Sequence, residues 1–236
     1  MQRIKRIWNK LIATKWIFNS AAKASFSQVG EDKIIAYFFN SIGIKNPSYL
    51  EIGTNHPVIG NNTYAFYLTG SKGVLIEPDP SLHSIILSKR KHDKLLTCGI
   101  ALNEAENAPF FIFPKKYSGW NTFSTEEVEV RKKMGVNVEK QIFVPLSNIN
   151  DILKNHFTST PDFISIDVEG LDEEIIRSLD FEQYKPTLLC IETIKNGDSV
   201  QVSKQHSLID FVCNKGYRVY ADTFVNTLFV KNELIN

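Results

Sequence analysis

Four short apolar runs end in acids: YLEIG at Glu51, GVLIEPDP at Glu77 and then Asp79, FISIDVEG at Asp167 and then Glu169, and TLLCIET at Glu192. Turns and helix caps favour Asp, so one such acid needs no function. Four on one sheet edge repel one another unless a cation sits among them, which implies a cationic ligand, a metal ion or both. The first pair is informative in its spacing. Glu77 lies 26 residues after Glu51 with a potentially helical segment between, a β-α-β unit whose second strand ends in an acid able to grip two ribose hydroxyls. The intervening turn reads E-I-G-T-N-H-P and lacks the glycines that let backbone approach a pyrophosphate, and no P-loop pattern occurs anywhere in the chain. A nucleoside with positive charge and no phosphate fits these features. S-adenosylmethionine is such a molecule.

The elements that must position these acids alternate between short β-rich runs and longer helical ones, the pattern of an α/β fold. Strands are expected at 48–52, 73–77, 95–102, 110–113, 163–167, 187–192, 218–221 and 228–230. Helices are expected at 31–41, 63–68, 80–91, 149–155, 171–178 and 204–215, the last stopped by Gly216. The stretch 115–148 is polar and weakly periodic and reads as a surface excursion able to cover a pocket. With 236 residues and 43% apolar composition, the chain fits one domain. Its 27 Lys and Arg against 26 Asp and Glu leave a formal charge of +1, which gives no reason to expect nucleic acid as partner.

Charge asymmetry is local: the first 25 residues hold six Lys or Arg and no acid, with Ile4, Ile7, Trp8, Leu11, Ile12 and Trp16 at helical spacing. Residues 1–25 therefore read as a basic amphipathic helix, packed on the domain or a second subunit, or resting on the inner face of a membrane. No apolar run approaches the roughly 18 residues of a spanning helix. Cys98, Cys190 and Cys213 are odd in number and set in apolar segments, as expected of buried thiols in a reducing cytoplasm.

From about Phe26 to Val230 the chain resembles the FkbM family of S-adenosylmethionine-dependent methyltransferases. The resemblance rests on FSQVGEDKIIAYFF, YLEIGTNHP, NNTYAFYLTGSKGVLIEPDP, DFISIDVEGLDEEIIRSL, LLCIET and KGYRVYADTFVNTLFV, in this order. It implies a single Rossmann-like methyltransferase domain over 26–236, with a mostly parallel central sheet, helices on both faces and a reversed final strand. It also implies O-methylation, most often of a sugar hydroxyl, in surface-glycan or natural-product biosynthesis, with a sugar or nucleotide-sugar as acceptor. Carried over by position, Glu51, Gly53, Thr54 and Asn55 form the turn under the methionine part, and Glu77 with Pro78 meets the ribose. Ala101 passes near adenine, Gln28 and Asp32 close over the cofactor behind Ser27, and Asn62 and Thr63 match the family's N-T pair. Ser27 and Asp32 serve equally as a helix cap with an early acid, and Asn62 and Thr63 equally as a cap of the next helix.

A sugar hydroxyl must lose a proton on methylation. The candidate bases are His56, Asp167, Glu169 and His206, with His56 the simplest because neutral imidazole titrates near working pH. The alternative is a metal: Asp167 and Glu192 end strands expected to be neighbours, and oxygen ligands there would suit Mg²⁺. Catechol-type methyltransferases carry a further Asp or Asn beside the second acid, where Thr193 stands here. A different class of function is a non-catalytic module with the same fold that serves as partner of biosynthetic enzymes; the retained Glu51, Gly53, Glu77, Asp167 and Glu169 speak against it. Because the resemblance starts near Phe26, deletion of residues 1–20 is expected to leave cofactor binding intact while changing oligomeric state, solubility or membrane association. Loss of S-adenosylhomocysteine binding in a deletion variant that keeps its circular dichroism spectrum would contradict this.

Overall fold

A computed structural model describes residues 24–196 and 202–234, so the expected helix at 1–25 lies almost wholly outside the described residues. The described residues run through α1 (Glu31–Ser41), β1 (Tyr49–Ile52), α2 (Tyr64–Leu68), β2 (Gly73–Ile76), α3 (Pro80–Lys89), β3 (Lys94–Leu96) and β4 (Gly99–Ile100). It continues through β5 (Asn107–Ile112), a 3-10 stretch at Lys115–Trp120, α4 (Thr125–Lys133), β6 (Lys140–Ser147), α5 (Ile149–His156), β7 (Phe163–Ile166), α6 (Asp172–Ser178) and β8 (Leu188–Glu192). A short ribbon of β9 (Ile194–Asn196) and β10 (Val202–Lys204) leads into α7 (His206–Asn214), β11 (Tyr217–Asp222) and β12 (Asn226–Lys231).

The central sheet has the order β11-β12-β8-β7-β1-β2-β3. β1 pairs in parallel with β2 and β7, and β7 in parallel with β8, so Glu51 lies level with Ser165 and Leu75. β12 runs antiparallel to both β8 and β11, which is the reversed strand that the family pattern implies. Strands that carry apolar side chains on both faces must be covered on both, and the core divides accordingly. Leu50, Ile52, Ile164, Ile166 and Ile191 pack with α5, α6 and α7; Tyr49, Leu75, Phe163 and Cys190 pack with α1, α2 and α3.

Three expectations need correction. The run expected as one strand over 95–102 is two: β3 joins the central sheet, while β4 turns away to pair with β6. The stretch 115–148 is not irregular, since it contains α4 and the eight-residue β6, which pairs with β5 in a second sheet of three strands. The low hydropathy of TEEVEVRKK hid α4, whose buried residues include the charged Glu127 and Arg131. Helix α7 starts at His206 because Val202–Lys204 is drawn into the ribbon, and it stops as expected before Gly216, whose φ is +92°. Cys98 and Cys190 are buried free thiols, whereas Cys213 is only half-buried. No helix among the described residues is long and apolar enough to cross a membrane.

Candidate active site

The parallel strands deliver their acids to one edge, and a cavity of about 210 Å³ opens there. Gln28, Gly53, Thr54, Asn55, Glu77, Pro78, Asp167 and Glu169 all line it. Gly53 has φ +84°, and a Cβ on it would stand 1.8 Å from the Asp167 carbonyl oxygen, so only glycine lets the first turn pass beneath the β7 edge. Glu77 is buried, and its oxygens accept the backbone N–H groups of Asn55 at 2.6 Å and Asp79 at 2.8 Å. Burial pushes its carboxyl up to about 7, against the pull of those two N–H donors. Asp79 caps α3 through the Ser81 N–H and also accepts from Asn121 Nδ2 at 2.9 Å, which ties the β5–β6 excursion to the cavity rim.

Other expected residues stand behind this cavity. Glu51 does not line it; the carboxylate accepts from Asn61 Nδ2 at 3.0 Å and is raised to about 7 by burial, with Arg90 opposing. Asp32 is also withdrawn, accepting from Ser25 Oγ and the Phe26 N–H, while Ser27 Oγ accepts from the N–H groups of Gly30 and Asp32. Ser27 thus serves the first turn of α1 and Asp32 pins the preceding loop, and only Gln28 of that element reaches the cavity. Thr63 and Asn62 are likewise behind the wall: Asn62 Nδ2 donates to Ser165 Oγ at 3.1 Å, and Thr63 Oγ1 meets Arg90. The expected Ala101 contact shifts to its predecessors Cys98, Gly99 and Ile100, because the Ala101 N–H is held by the Ser147 carbonyl.

The residue that organises this wall was hidden in the charged run SKRKHDK. Arg90 is 1% exposed, whereas its neighbours face solvent. Its guanidinium donates to Asp93 Oδ2 at 2.7 Å, the Pro57 carbonyl at 3.1 Å, Asn61 Oδ1 at 3.0 Å, Tyr49 OH at 3.1 Å and Thr63 Oγ1 at 2.6 Å. The rings of Tyr49, Tyr64 and Tyr67 surround it within 5.6 Å. The amino-acid pattern carries no local signal for this, since an Arg three residues before an Asp is common on solvated helix ends.

At the β7 edge, the Asp167 and Glu192 side chains share a hydrogen bond, and burial raises Asp167 to about 6 and Glu192 well above the carboxylate range. Asp172 is pushed up to about 7 by burial although it accepts the Val168 and Gly170 N–H groups. Glu169 holds a positive φ of 56° and is ion-paired with Arg131 at 2.9 Å; Arg131 also pairs with Glu127 and lies over the Trp120 ring. The expected Mg²⁺ ligands are thus adjacent but incomplete. Among the described residues no group of three or more His, Cys, Asp or Glu is placed to hold a metal ion.

His56 is not placed to act as a base. Its Nδ1 accepts the N–H groups of Val58 and Ile59 at 3.2 and 3.0 Å, which commits that lone pair to the turn. His206 opens α7 and lines a second cavity together with Glu192. Across the site, Glu31 accepts from Thr223 Oγ1 at 2.7 Å and Asn226 Nδ2 at 3.0 Å, tying the element that carries Gln28 to the β11–β12 hairpin.

A family model described as the methyltransferase FkbM domain matches residues 51–219. The chain belongs to the FkbM methyltransferase family. No curated protein matches the chain. Among solved structures it is similar to a TehB-like SAM-dependent methyltransferase from Corynebacterium glutamicum, at 10% identity and TM-score 0.42, with 96% of this chain and 100% of that one covered. An O-methyltransferase from Bacillus cereus in complex with SAH is similar at 11% identity and TM-score 0.43, covering 98% and 91%. Magnesium protoporphyrin IX methyltransferase from Synechocystis with bound SAM is similar at 8% identity and TM-score 0.45, covering 86% and 78%.

Two outcomes follow for this FkbM domain. Arg90→Met strands Asp93 and Glu51 without their buried counter-charge and is expected to cost about 3–5 kcal/mol of unfolding free energy by urea titration. An unchanged denaturation midpoint would refute the role given to Arg90. The second concerns pH. Folded carboxyls raised above their unfolded values bind protons more tightly folded than unfolded, so their stabilisation is present below the unfolded value and lost as pH rises through the folded one. Stability of the ligand-free protein should therefore fall between about pH 4.5 and 7, where Glu51, Glu77 and Asp172 lose their protons. Glu77→Gln should remove roughly 3 kcal/mol of that fall, at 1.36 kcal/mol per pH unit. A stability profile that rises over this range and is unaffected by Glu77→Gln would count against these raised carboxyls.

Proposed function

We propose that this FkbM methyltransferase uses S-adenosylmethionine to methylate a hydroxyl of a sugar or nucleotide-sugar acceptor, in surface-glycan or natural-product biosynthesis. The observation that carries the reading is Glu77: a buried strand-end carboxylate above a glycine turn, in a family of methyltransferases, with no phosphate-binding loop beside it. The cradle that a Cβ on Gly53 would fill suits the methionine part, and Glu77 suits the paired ribose hydroxyls. Its lone pairs exceed the two N–H donors it already accepts. When bound, the cofactor supplies a methyl group on a sulfonium, and transfer is an in-line displacement.

Positioning then supplies much of the rate. Gly53 and Asn55 would hold the turn under the methionine part, Glu77 would fix the nucleoside end, and Asp167 and Glu169 on the same cavity wall would supply carboxyls suited to a cation. Arg131 and the Thr122 hydroxyl, which donates to the Glu169 carbonyl at 2.8 Å, hold that loop in its left-handed turn. Cys98, Ile100 and Phe123 give an apolar slot for a base.

Calorimetry is expected to show S-adenosylhomocysteine bound at about one per chain, with no comparable affinity for NAD. Glu77→Ala removes charged hydrogen bonds worth roughly 1.5–3 kcal/mol, about ten- to a hundred-fold in affinity. An unchanged affinity in a folded Glu77→Ala protein would remove Glu77 from the site, and equal binding of NAD would sink the cofactor assignment.

A further inference from the structure

We infer that the rim of the cofactor cavity is a docking surface for an anionic lipid bilayer. This adds a partner to the methyl-transfer reading and holds whatever the acceptor is. Among the described residues that line the cavity, Gln28, Ile59, Gly60 and Gly119 are exposed and mark its mouth. Hydrogen bonds gather the neighbouring segments. The Asn61 N–H donates to the Phe26 carbonyl at 2.9 Å, which binds the loop carrying Ile59 to the element carrying Gln28. Glu31 accepts the Val29 N–H at 2.9 Å and Thr223 Oγ1 at 2.7 Å, which binds that element to the β11–β12 turn. A Cβ on Gly119 would stand 3.5 Å from Asn55 Nδ2, so the 3-10 stretch Lys115–Trp120 lies against the cofactor turn.

Three of these segments present an apolar side chain to solvent: Val29 is 54% exposed, Ile59 73% and Phe224 60%. Such residues scattered singly are ordinary; here they sit on segments bonded together beside one opening. Phe224 also holds a φ of +74°, a conformation that bulky residues rarely adopt, with its N–H donating to Asp222 Oδ1 at 2.6 Å. The strained residue carries an exposed ring, which points to a role outside the folded core.

Charge decides what covers this rim. Within two residues of the four mouth residues the sequence holds no acid, while Lys115 and Lys116 are exposed in the 3-10 stretch, where Tyr117 and Trp120 stack at 4.7 Å. The described chain starts at residue 24, four residues before Gln28 and so within about 14 Å of it. Ser25 Oγ and the Phe26 N–H are pinned on Asp32, so residues 1–23 join the domain at this rim. They contain Arg3, Lys5, Arg6, Lys10, Lys15 and Lys23 and no acid, with Trp8 and Trp16 in their apolar pattern. A basic segment and a basic rim repel each other, which disfavours the segment folding back over the apolar side chains and disfavours two copies meeting face to face. Both are drawn to the same anionic surface, and aromatic rings beside lysines suit the headgroup level of a bilayer.

The test sediments the full-length protein with vesicles of phosphatidylcholine alone, or of phosphatidylcholine and phosphatidylglycerol in equal parts. Partitioning onto the anionic vesicles is expected to be at least about tenfold stronger, and to weaken as salt is added. Val29→Ser combined with Phe224→Ser should weaken it about tenfold, with S-adenosylhomocysteine affinity and the urea midpoint kept. A solvatochromic fluorophore on Phe224→Cys, in a Cys213→Ser background, should shift to the blue on anionic vesicles. The same fluorophore on Leu87→Cys, an exposed position in the last turn of α3 and so at the end of that helix away from the cavity, should not. Equal partitioning onto neutral vesicles, none onto either, unchanged partitioning of the double variant, or an equal shift at Leu87 would overturn the inference. So would a Phe224 probe that is already blue-shifted without lipid and is released by deleting residues 1–23, which assigns the rim to the chain's own segment, or by dilution, which assigns it to a second copy. S-adenosylhomocysteine binding measured without lipid decides the methyl-transfer reading separately.

Discussion

A single guanidinium sets the position of the turn on which this site depends. Arg90 reaches from the end of α3 under the loop between β1 and α2, and it holds that loop at a carbonyl, an amide and a hydroxyl. Asn61 then relays the constraint, accepting the Tyr64 N–H at the start of α2 and donating to Glu51. Burying a lone cation is prohibitive, and the protein answers with Asp93, Glu51 and three tyrosine rings. The loop that carries Gly53, Thr54 and Asn55 is thus rigid from behind, and the cavity face is left free of the groups that fix it.

The opposite problem holds at the strand ends, where carboxylates outnumber cations. Glu77, Asp167, Glu169, Asp172 and Glu192 are all driven upward by burial. Backbone N–H groups relieve Glu77 and Asp172, Arg131 relieves Glu169, and a side-chain hydrogen bond with Glu192 relieves Asp167. A protein that tolerates such crowding in its ligand-free form gains electrostatic attraction for a cationic ligand that enters. The strain at Glu169, a non-glycine residue in the left-handed region, belongs to the same arrangement, because Arg131 and Thr122 hold it from the excursion side.

Much of this architecture was legible in the amino-acid pattern. Doubly buried parallel strands read as unbroken apolar runs, so YLEI, FISI and LLCIE were found where they lie, and α1 was placed at both ends. Eight of the expected site residues do meet in one cavity. What escaped was whatever long-range contact decides. Arg90 looks like its exposed neighbours Lys89 and Lys91 until the tyrosines close over it, and α4 buries ion pairs where periodicity seeks hydrocarbon. Residue type misled at His56, since an imidazole near a cofactor turn suggests proton transfer although its nitrogen serves as a turn cap.

The tie between Glu31 and the β11–β12 hairpin spans 192 residues to Thr223 and 195 to Asn226. Gln28 belongs to the first of these elements and lines the cofactor cavity, so one wall of that cavity is held by chain made at opposite times on the ribosome. During synthesis the parallel strands emerge with Glu31 Oε1 lacking its hairpin donors, although Oε2 already has the Val29 N–H, and with the sheet edge at β8 uncovered. The reversed strand closes both defects in one step. Long-range pairing of this kind is slow, and a nascent chain stalled before β12 would expose a sticky edge beside an open cofactor cleft. Docking of the hairpin is therefore the event that fixes the element carrying Gln28 against the cavity.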